Sequence, residues 1–354
     1  MKINTPKVVI ESILINLQPF LEKKDASQIT SHIFFQTQNG DCIIKATDGE
    51  IGLQVITNQI NIEFDGSFTV NGKKLLDIVR ILKDDDITFE LVENILTVKQ
   101  KYSKFRLPTF DSNSFPQFPD IENKPKIPID SLDLVKNLKK ISLSIDNNNP
   151  KFELNGALIN IKTNSTDLVG TDTRRLSIAT INNSNSNELS IIVPKKAILE
   201  IQKLFLDRIN IYYDETNLII TNDNYYFYTR LINGKYPDYQ RIVPNSIKHN
   251  ITLPKKEMID SIKMITTISQ DVELTISKNE IVFNSLDSDI KAKTKLEIDT
   301  GIESEFRLRF NSRYLLDFIS QIESGQFTLG INEENLPFVI KDDNFITIIM
   351  PIVI

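Results

Sequence analysis

Two kinds of segment recur in this 354-residue chain at a common spacing, and that repetition limits the possible folds more than any other feature. The first kind reads as a strand, a polar or basic start and an apolar helix. It appears as FTVNGKKLLDIVRIL at 68–82, IIVPKKAILEIQKLF at 191–205 and, more weakly, LRFNSRYLLDFISQI at 308–322, with offsets of 123 and 117. The second kind precedes each of these: INTPKVVIESILINL at 3–17, IPIDSLDLVKNLKKI at 127–141 and ITLPKKEMIDSIKMI at 251–265, each offset by 124. The chain is therefore read as three copies of a unit of about 118 residues, each ordered helix, strands, helix, strands.

Short runs rich in β-branched and aromatic residues fill the intervals: IFFQTQ, DCIIKAT, IGLQVIT, ITFEL, ILTVKQ and KFRLPTF in the first copy. The second has ALINIKT, RLSIATI, INIYYD, NLIITND and YYFYTRLI. The third has VELTIS, EIVFNS, IKAKTKLEI, FTLGIN, FVIKD and FITIIMPIVI. Polar turns such as NG, DG and DET separate them, which marks antiparallel strands. A sheet buries one face against another layer, so the two helices of each copy are expected to cover it. The expected fold class is α+β, in tandem domains at 1–122, 123–247 and 248–354, divided at the proline-containing connectors PDIENKPKIP and VPNSIKHN.

Much chemistry is excluded. Cys42 is the single cysteine, so an internal disulfide and a cysteine-built zinc site are ruled out. The two histidines, His32 in an apolar strand and His249 in a polar connector, read as structural and cannot supply a three-histidine metal site. No glycine-rich phosphate cradle and no HExxH occurs. Asp84-Asp85-Asp86 reads as a solvated turn rather than a metal cluster. No cofactor, no metal and no catalytic residue is expected. No apolar run reaches membrane-spanning length and the N-terminus does not read as a signal peptide, so a cytoplasmic location without membrane contact is expected.

The formal net charge of −6 argues against a conventional basic nucleic-acid binder. Placement matters more than the sum. Basic residues recur seven apart at Lys73 and Arg80, Lys196 and Lys203, and Lys256 and Lys263, about two helical turns each, so each pair shares a face. Lys136, Lys139 and Lys140 cluster on the helix from Ser131, with Leu132, Val135 and Leu138 expected on the neighbouring apolar face. Such lysines serve either as the solvated side of amphipathic helices or as a repeated positive lining that touches phosphates and reads no bases.

Several stretches carry a resemblance to a known family: KATDGE (45–50), VNGKKLLDIVRIL (70–82), FELNGALIN (152–160), VGTDTRRLSIA (169–179), IIVPKKAILEI (191–201), TRLINGKYPDYQRIVP (229–244) and IIMPIVI (348–354). Together they resemble the bacterial sliding clamp, the β subunit of DNA polymerase III, over essentially the whole chain. The resemblance implies three DNA-clamp domains per chain, each two helices packed on antiparallel sheets. Two chains join head to tail as a homodimeric ring of six domains. It implies a processivity factor without enzymatic activity that encircles double-stranded DNA irrespective of sequence. Its implied partners are a clamp loader, the DNA polymerase III catalytic subunit and other replication and repair proteins that dock through linear peptide motifs.

Carried over by position, the partner-peptide pocket comprises Leu154, Thr171, Arg174, Arg175, Leu176, Pro237, Arg241, Ile242, Ile348, Met350, Pro351 and Ile352. The implied DNA contacts are Lys24 and Asn148 on loops, joined by Lys73, Arg80, Lys136, Lys139, Lys140, Lys196, Lys203, Lys256 and Lys263. The implied dimer contact sets Ile78, Leu82, Phe105 and Leu107 against Ile268, beside an edge that is acidic in the family and partly basic here at Lys291, Lys293 and Lys295. Two further departures stand out. The family's TDGHRL is TDTRRL, placing Thr173 where a glycine is usual, and Ile352-Val353 replaces Met-Arg in the tail. Competing readings are a β-rich hydrolase or transferase built on Asp172 with Arg174 and Arg175, and a monomeric repeat scaffold without a DNA role.

Overall fold

The computed structural model describes residues 1–185, 188–287 and 289–353, so Ile354, the last residue of the IIMPIVI tail, lies outside the described residues. Among the described residues there are six α-helices and twenty-four strands, and the three repeats are visible in their order. The first runs β1 (Lys2–Pro6), α1 (Lys7–Leu17), β2 (His32–Gln38), β3 (Asp41–Thr47), β4 (Ile51–Thr57), β5 (Asn61–Phe64), β6 (Ser67–Asn71), α2 (Gly72–Ile81), β7 (Asp86–Val92), β8 (Ile95–Gln100) and β9 (Ser103–Pro108). The second has α3 (Ser131–Ser142), β10 (Gly156–Ile161), β11 (Ser165–Thr171), β12 (Arg175–Asn182), β13 (Leu189–Pro194), α4 (Lys195–Leu204), β14 (Asn210–Tyr213), β15 (Asn217–Thr221) and β16 (Tyr225–Arg230). The third has β17 (His249–Pro254), α5 (Lys255–Thr266), β18 (Asp271–Ile276), β19 (Glu280–Ser285), β20 (Lys293–Glu297), β21 (Phe306–Asn311), α6 (Ser312–Gln321), β22 (Gln326–Ile331), β23 (Phe338–Asp342) and β24 (Phe345–Ile349).

Local chemistry explains these elements. Asn39 and Gly40, at φ 56° and 88°, turn β2 into β3, as an Asn-Gly hairpin requires. Asn71 and Asn311 cap α2 and α6 by accepting the backbone N–H of Lys74 and Arg313. The lysine that opens the first helix of a repeat closes the second: Lys7 Nζ donates to the Leu82 carbonyl at 2.6 Å, and Lys255 Nζ to that of Ile322 at 2.6 Å. Each satisfies a carbonyl that the helix end leaves orphaned.

Three expectations are corrected. The segments INTP and ITLP, read as helix starts, are strands, and the helices begin one residue after Pro6 and Pro254. The tail strand stops at Ile349, before Pro351, which has no N–H for a ladder. In α3 the buried stripe is Leu134, Leu138 and Ile141, whereas Leu132 is 54% exposed.

Compactness divides the chain differently from repetition. Residues 1–131 with 203–231 form one unit and 132–202 with 232–354 the other. The first holds a five-stranded sheet, β5-β1-β7-β8-β9, and a seven-stranded one, β14-β15-β16-β4-β3-β2-β6. The second holds an eight-stranded sheet, β13-β10-β11-β12-β24-β23-β22-β17, and a four-stranded one, β20-β19-β18-β21. The larger sheet of each unit is composite. In the first unit β16 joins β4 antiparallel, with Gly52 opposite Tyr228; in the second β24 joins β12, with Leu176 opposite Ile348.

Candidate functional site

The β11–β12 turn and the segment after β16 build the candidate cleft on the second unit. Asp172 Oδ1 accepts the backbone N–H groups of Arg174 and Arg175 at 3.0 Å each, and Thr171 Oγ1 accepts that of Thr173 at 3.1 Å. These bonds hold a turn in which Thr173 has φ 73°, a region that costs a β-branched residue strain. Beyond β24 the tail is pinned: Met350 N–H donates to the Arg174 carbonyl at 2.9 Å and Ile352 N–H to that of Arg309 at 2.7 Å.

Residues 232–247 pack across the composite sheet. Tyr236 and Tyr239 bury beside Leu154, Leu158, Val169, Leu176, Ile232 and Ile348. The Tyr239 hydroxyl donates to Asp167 Oδ2 at 2.7 Å and accepts from Asn160 Nδ2 at 3.0 Å. Burial pulls the Asp167 pKa upward, but its bonds to Lys162, Tyr239 and Thr180 outweigh this and leave it below the usual carboxylate value. Asp167 therefore anchors the connector as a buried anion.

The expected pocket residues divide by depth. Leu154, Leu176 and Ile348 are buried and form a floor. Thr171, Pro351 and Ile352 are half-buried, and Arg174, Pro237, Arg241, Ile242 and Met350 are exposed. Ile242 and Met350 are 44% and 43% exposed, so apolar surface is left to solvent above an apolar floor. Arg241 pairs with Asp238 at 2.8 Å on the surface.

Arg175 differs from the rest: its guanidinium is buried and fully engaged. Nε meets Asp172 Oδ2 at 3.0 Å, Nη1 meets Asp317 Oδ2 at 2.8 Å and Nη2 donates to the Leu143 carbonyl at 2.5 Å, with the Tyr314 ring stacked 4.7 Å away. It ties the end of α3 to the turn and to α6 and has no donor directed at a ligand. Beside it lies a polar cavity of about 280 Å³ that includes Lys195, Gln270, Asn311, Arg313 and Tyr314. The sequence reading missed these five residues and Asp317; they come mostly from the third repeat, and only the fold brings them to the turn.

The expected DNA-contact residues lie mainly on exposed helix faces: Lys73 and Arg80 on α2, Lys139 on α3, Lys196 and Lys203 on α4, and Lys256 and Lys263 on α5. Lys24 and Asn148 are on exposed loops. Lys136 is paired with Glu323 at 2.9 Å. Lys140 is a correction to the picture of an outward cluster: it is half-buried, donates to Asn344 Oδ1 at 2.6 Å and lies over the Phe345 ring, and burial lowers its pKa. Of the expected dimer residues, Ile268 is 38% exposed and Ile78 and Phe105 are half-buried, while Leu82 and Leu107 are buried within the chain. His32 is a core residue stacked on Phe110 at 4.1 Å, and among the described residues no carboxylate, cysteine or histidine group could hold a metal.

A repeated α+β scaffold with an apolar cleft at a sheet junction and basic helix faces defines the class: a DNA-clamp fold with a peptide-sized docking groove. Comparisons with known proteins give the family. The chain matches the N-terminal, central and C-terminal domains of the DNA polymerase III beta subunit over residues 1–119, 128–238 and 240–353. It is 40% identical over 352 residues to a beta sliding clamp of Helicobacter pylori, covering 97% of this chain and 94% of that protein. The structure of a Helicobacter pylori beta clamp bound to a DNA ligase peptide, 39% identical, superposes with a TM-score of 0.94 over all of both chains. The β subunit from Pseudomonas aeruginosa, 21% identical, shares the fold with a TM-score of 0.91. The chain belongs to the bacterial sliding clamp family, the non-catalytic processivity subunits of DNA polymerase III.

Proposed function

We propose that the chain works as a homodimeric ring of six domains, three per chain at 1–122, 123–247 and 248–354, that encircles duplex DNA in the cytoplasm. A loader opens and closes it; thereafter it slides, and escape is prevented by closure rather than by affinity. Lys24, Asn148 and the basic helix faces supply weak, sequence-independent phosphate contacts. The ring tethers the polymerase and repair proteins, which insert linear peptides into the cleft over Leu154, Leu176 and Ile348.

The observation that carries the peptide reading is the exposed pair Ile242 and Met350 above that buried floor. The ligase peptide bound by the Helicobacter pylori relative supports it. Each apolar side chain fully buried contributes roughly 1.5–3 kcal/mol, less the ordering of the peptide, so micromolar affinity near −8 kcal/mol is expected. Arg175 acts as a positioning residue that holds the turn against α6.

The test is a titration with a fluorescent clamp-binding peptide from a DNA ligase or polymerase. Met350→Ala and Ile242→Ala should each weaken binding roughly tenfold, with the melting temperature preserved. Unchanged affinity in both variants would remove the cleft from the account.

A further inference from the structure

The two composite sheets obey one register rule, and it can be extended to the edges left unpaired. Three residues before the second helix of each repeat stand Thr69, Ile192 and Arg309. Crossing three strands from them leads to Gln54 through Phe34 and Lys45, to Ile178 through Leu158 and Val169, and to Lys293 through Glu273 and Asn284. Three residues before the first helix stand Asn4 and Thr252. Crossing three strands from these leads to Lys104 through Thr88 and Lys99, and to Ile346 through Thr328 and Lys341. The second-repeat counterpart of Ile346 is Tyr226. Within the chain the row is completed twice: Gln54 faces Tyr226, and Ile178 faces Ile346. Both pairs are neutral. Two members of the row remain, Lys104 on the edge strand β9 and Lys293 on the edge strand β20.

We infer that the seam between two copies is an antiparallel β9–β20 pair with Lys104 opposite Lys293 and Arg106 opposite Lys291, so the dimer is opposed by like charge and tightens as ionic strength rises. This rests on the homodimer proposed above and adds its register and its salt response. All four side chains are exposed, and among the described residues none has an ion-pair partner. Like charges directly opposite across a ladder are destabilising. The surrounding charges do not cancel them. Lys99, beside Lys104, is occupied by Glu90, and Lys295 holds Glu297 at 3.0 Å and Glu280 at 3.7 Å. Asp289, two residues from Lys291, is the remaining exposed anion on that edge. The attraction comes instead from apolar residues such as Phe105 and Ile268, which salt does not screen.

Sedimentation velocity from about 50 mM to about 500 mM salt should show the dimer dissociation constant falling roughly tenfold, as the screening length shortens. A constant that is flat or rises with salt overturns the inference. A charge-swap cycle tests the register. Lys104→Glu and Lys293→Glu should each tighten the dimer at low salt and make added salt weaken it, while the double variant returns to weak, salt-strengthened association. Dimers indifferent to all three changes overturn this register alone. Monomers at every salt concentration, in all four proteins, overturn the homodimer reading as well.

Discussion

The two composite-sheet junctions are built from the same repeat yet end differently, and side-chain volume at one position accounts for it. In the second unit the junction pair is Leu176 and Ile348, and the connector that crosses it is anchored by Tyr236 and Tyr239. Their hydroxyls reach the Val169 carbonyl and Asp167, which leaves Pro237 and Ile242 facing out. In the first unit the equivalent pair is Gly52 and Tyr228. A Cβ at Gly52 would lie 2.3 Å from the Tyr228 ring and 3.0 Å from that of Phe118. The first connector lays Phe110 on His32, Phe115 on Phe34 and Phe118 edge-on to Tyr228, and Lys45 sits over both Phe34 and Phe118. The first junction fills itself with aromatic rings. The second keeps an apolar floor and leaves apolar surface above it, so one repeat motif yields a structural seam once and a docking cleft once.

The largest expected effect separates the junctions at the residue that begins β12 or β4. Arg175→Ala strands Asp172 and Asp317 beside a buried gap and should cost about 3–5 kcal/mol. Its counterpart change in the first unit, Ile51→Val, should cost about 0.5–1.5 kcal/mol. Urea titrations of both variants check the contrast, and equal losses would break it. Arg175→Lys should rescue little, because an ammonium cannot reproduce the three-way fork.

Acid should separate the units next. Burial, aided by Lys74, lowers the His32 pKa to about 4. The unfolded chain takes up this proton near pH 6.5, so stability is full above that value and declines as pH falls toward 4, by roughly 3 kcal/mol in all. Asp167 has a lowered pKa, so its contribution persists until pH falls below the ordinary carboxylate value near 4. Hydrogen exchange between pH 7 and pH 4 should therefore show strands β2 and β6 loosening before β11. His32→Phe should flatten the loss in the first unit, and simultaneous loosening of both units would contradict this order.

The smallest effect concerns the cleft turn. Thr173→Gly relieves roughly 1–2 kcal/mol of left-handed strain and adds back roughly 0.5–1 kcal/mol of unfolded-chain entropy, for a net gain near 0.5 kcal/mol. Calorimetry reads it as a small rise in melting temperature; a fall would show that the Thr171 and Asp172 bonds depend on the threonine.

Much of this contrast was legible in the residues, and the rest was not for identifiable reasons. The alternation of apolar and polar residues in IFFQTQ and DCIIKAT and the Asn-Gly between them define β2 and β3 without any long-range information. The turn chemistry of TDTRR is likewise local. In α3, Leu132 and Leu134 both fit a helical stripe two residues apart, and packing alone selects Leu134, Leu138 and Ile141. Asp317 and Tyr314 carry no local signal for contact with Arg175, since about 140 residues separate them and the partnership exists only after β12 pairs with β24. The composite sheets are invisible for the same reason: repetition marks three copies, but which copy lends its strands to which sheet is a tertiary decision.

The most direct measurement of the central account is retention after loading onto nicked circular DNA, followed by linearisation with a restriction enzyme. A protein that holds DNA by enclosing it stays on the circle through gel filtration at moderate salt and runs off within minutes once ends exist. Equal retention on circle and line would show that contact affinity, rather than a closed ring, keeps it in place, and the account would fail at its base.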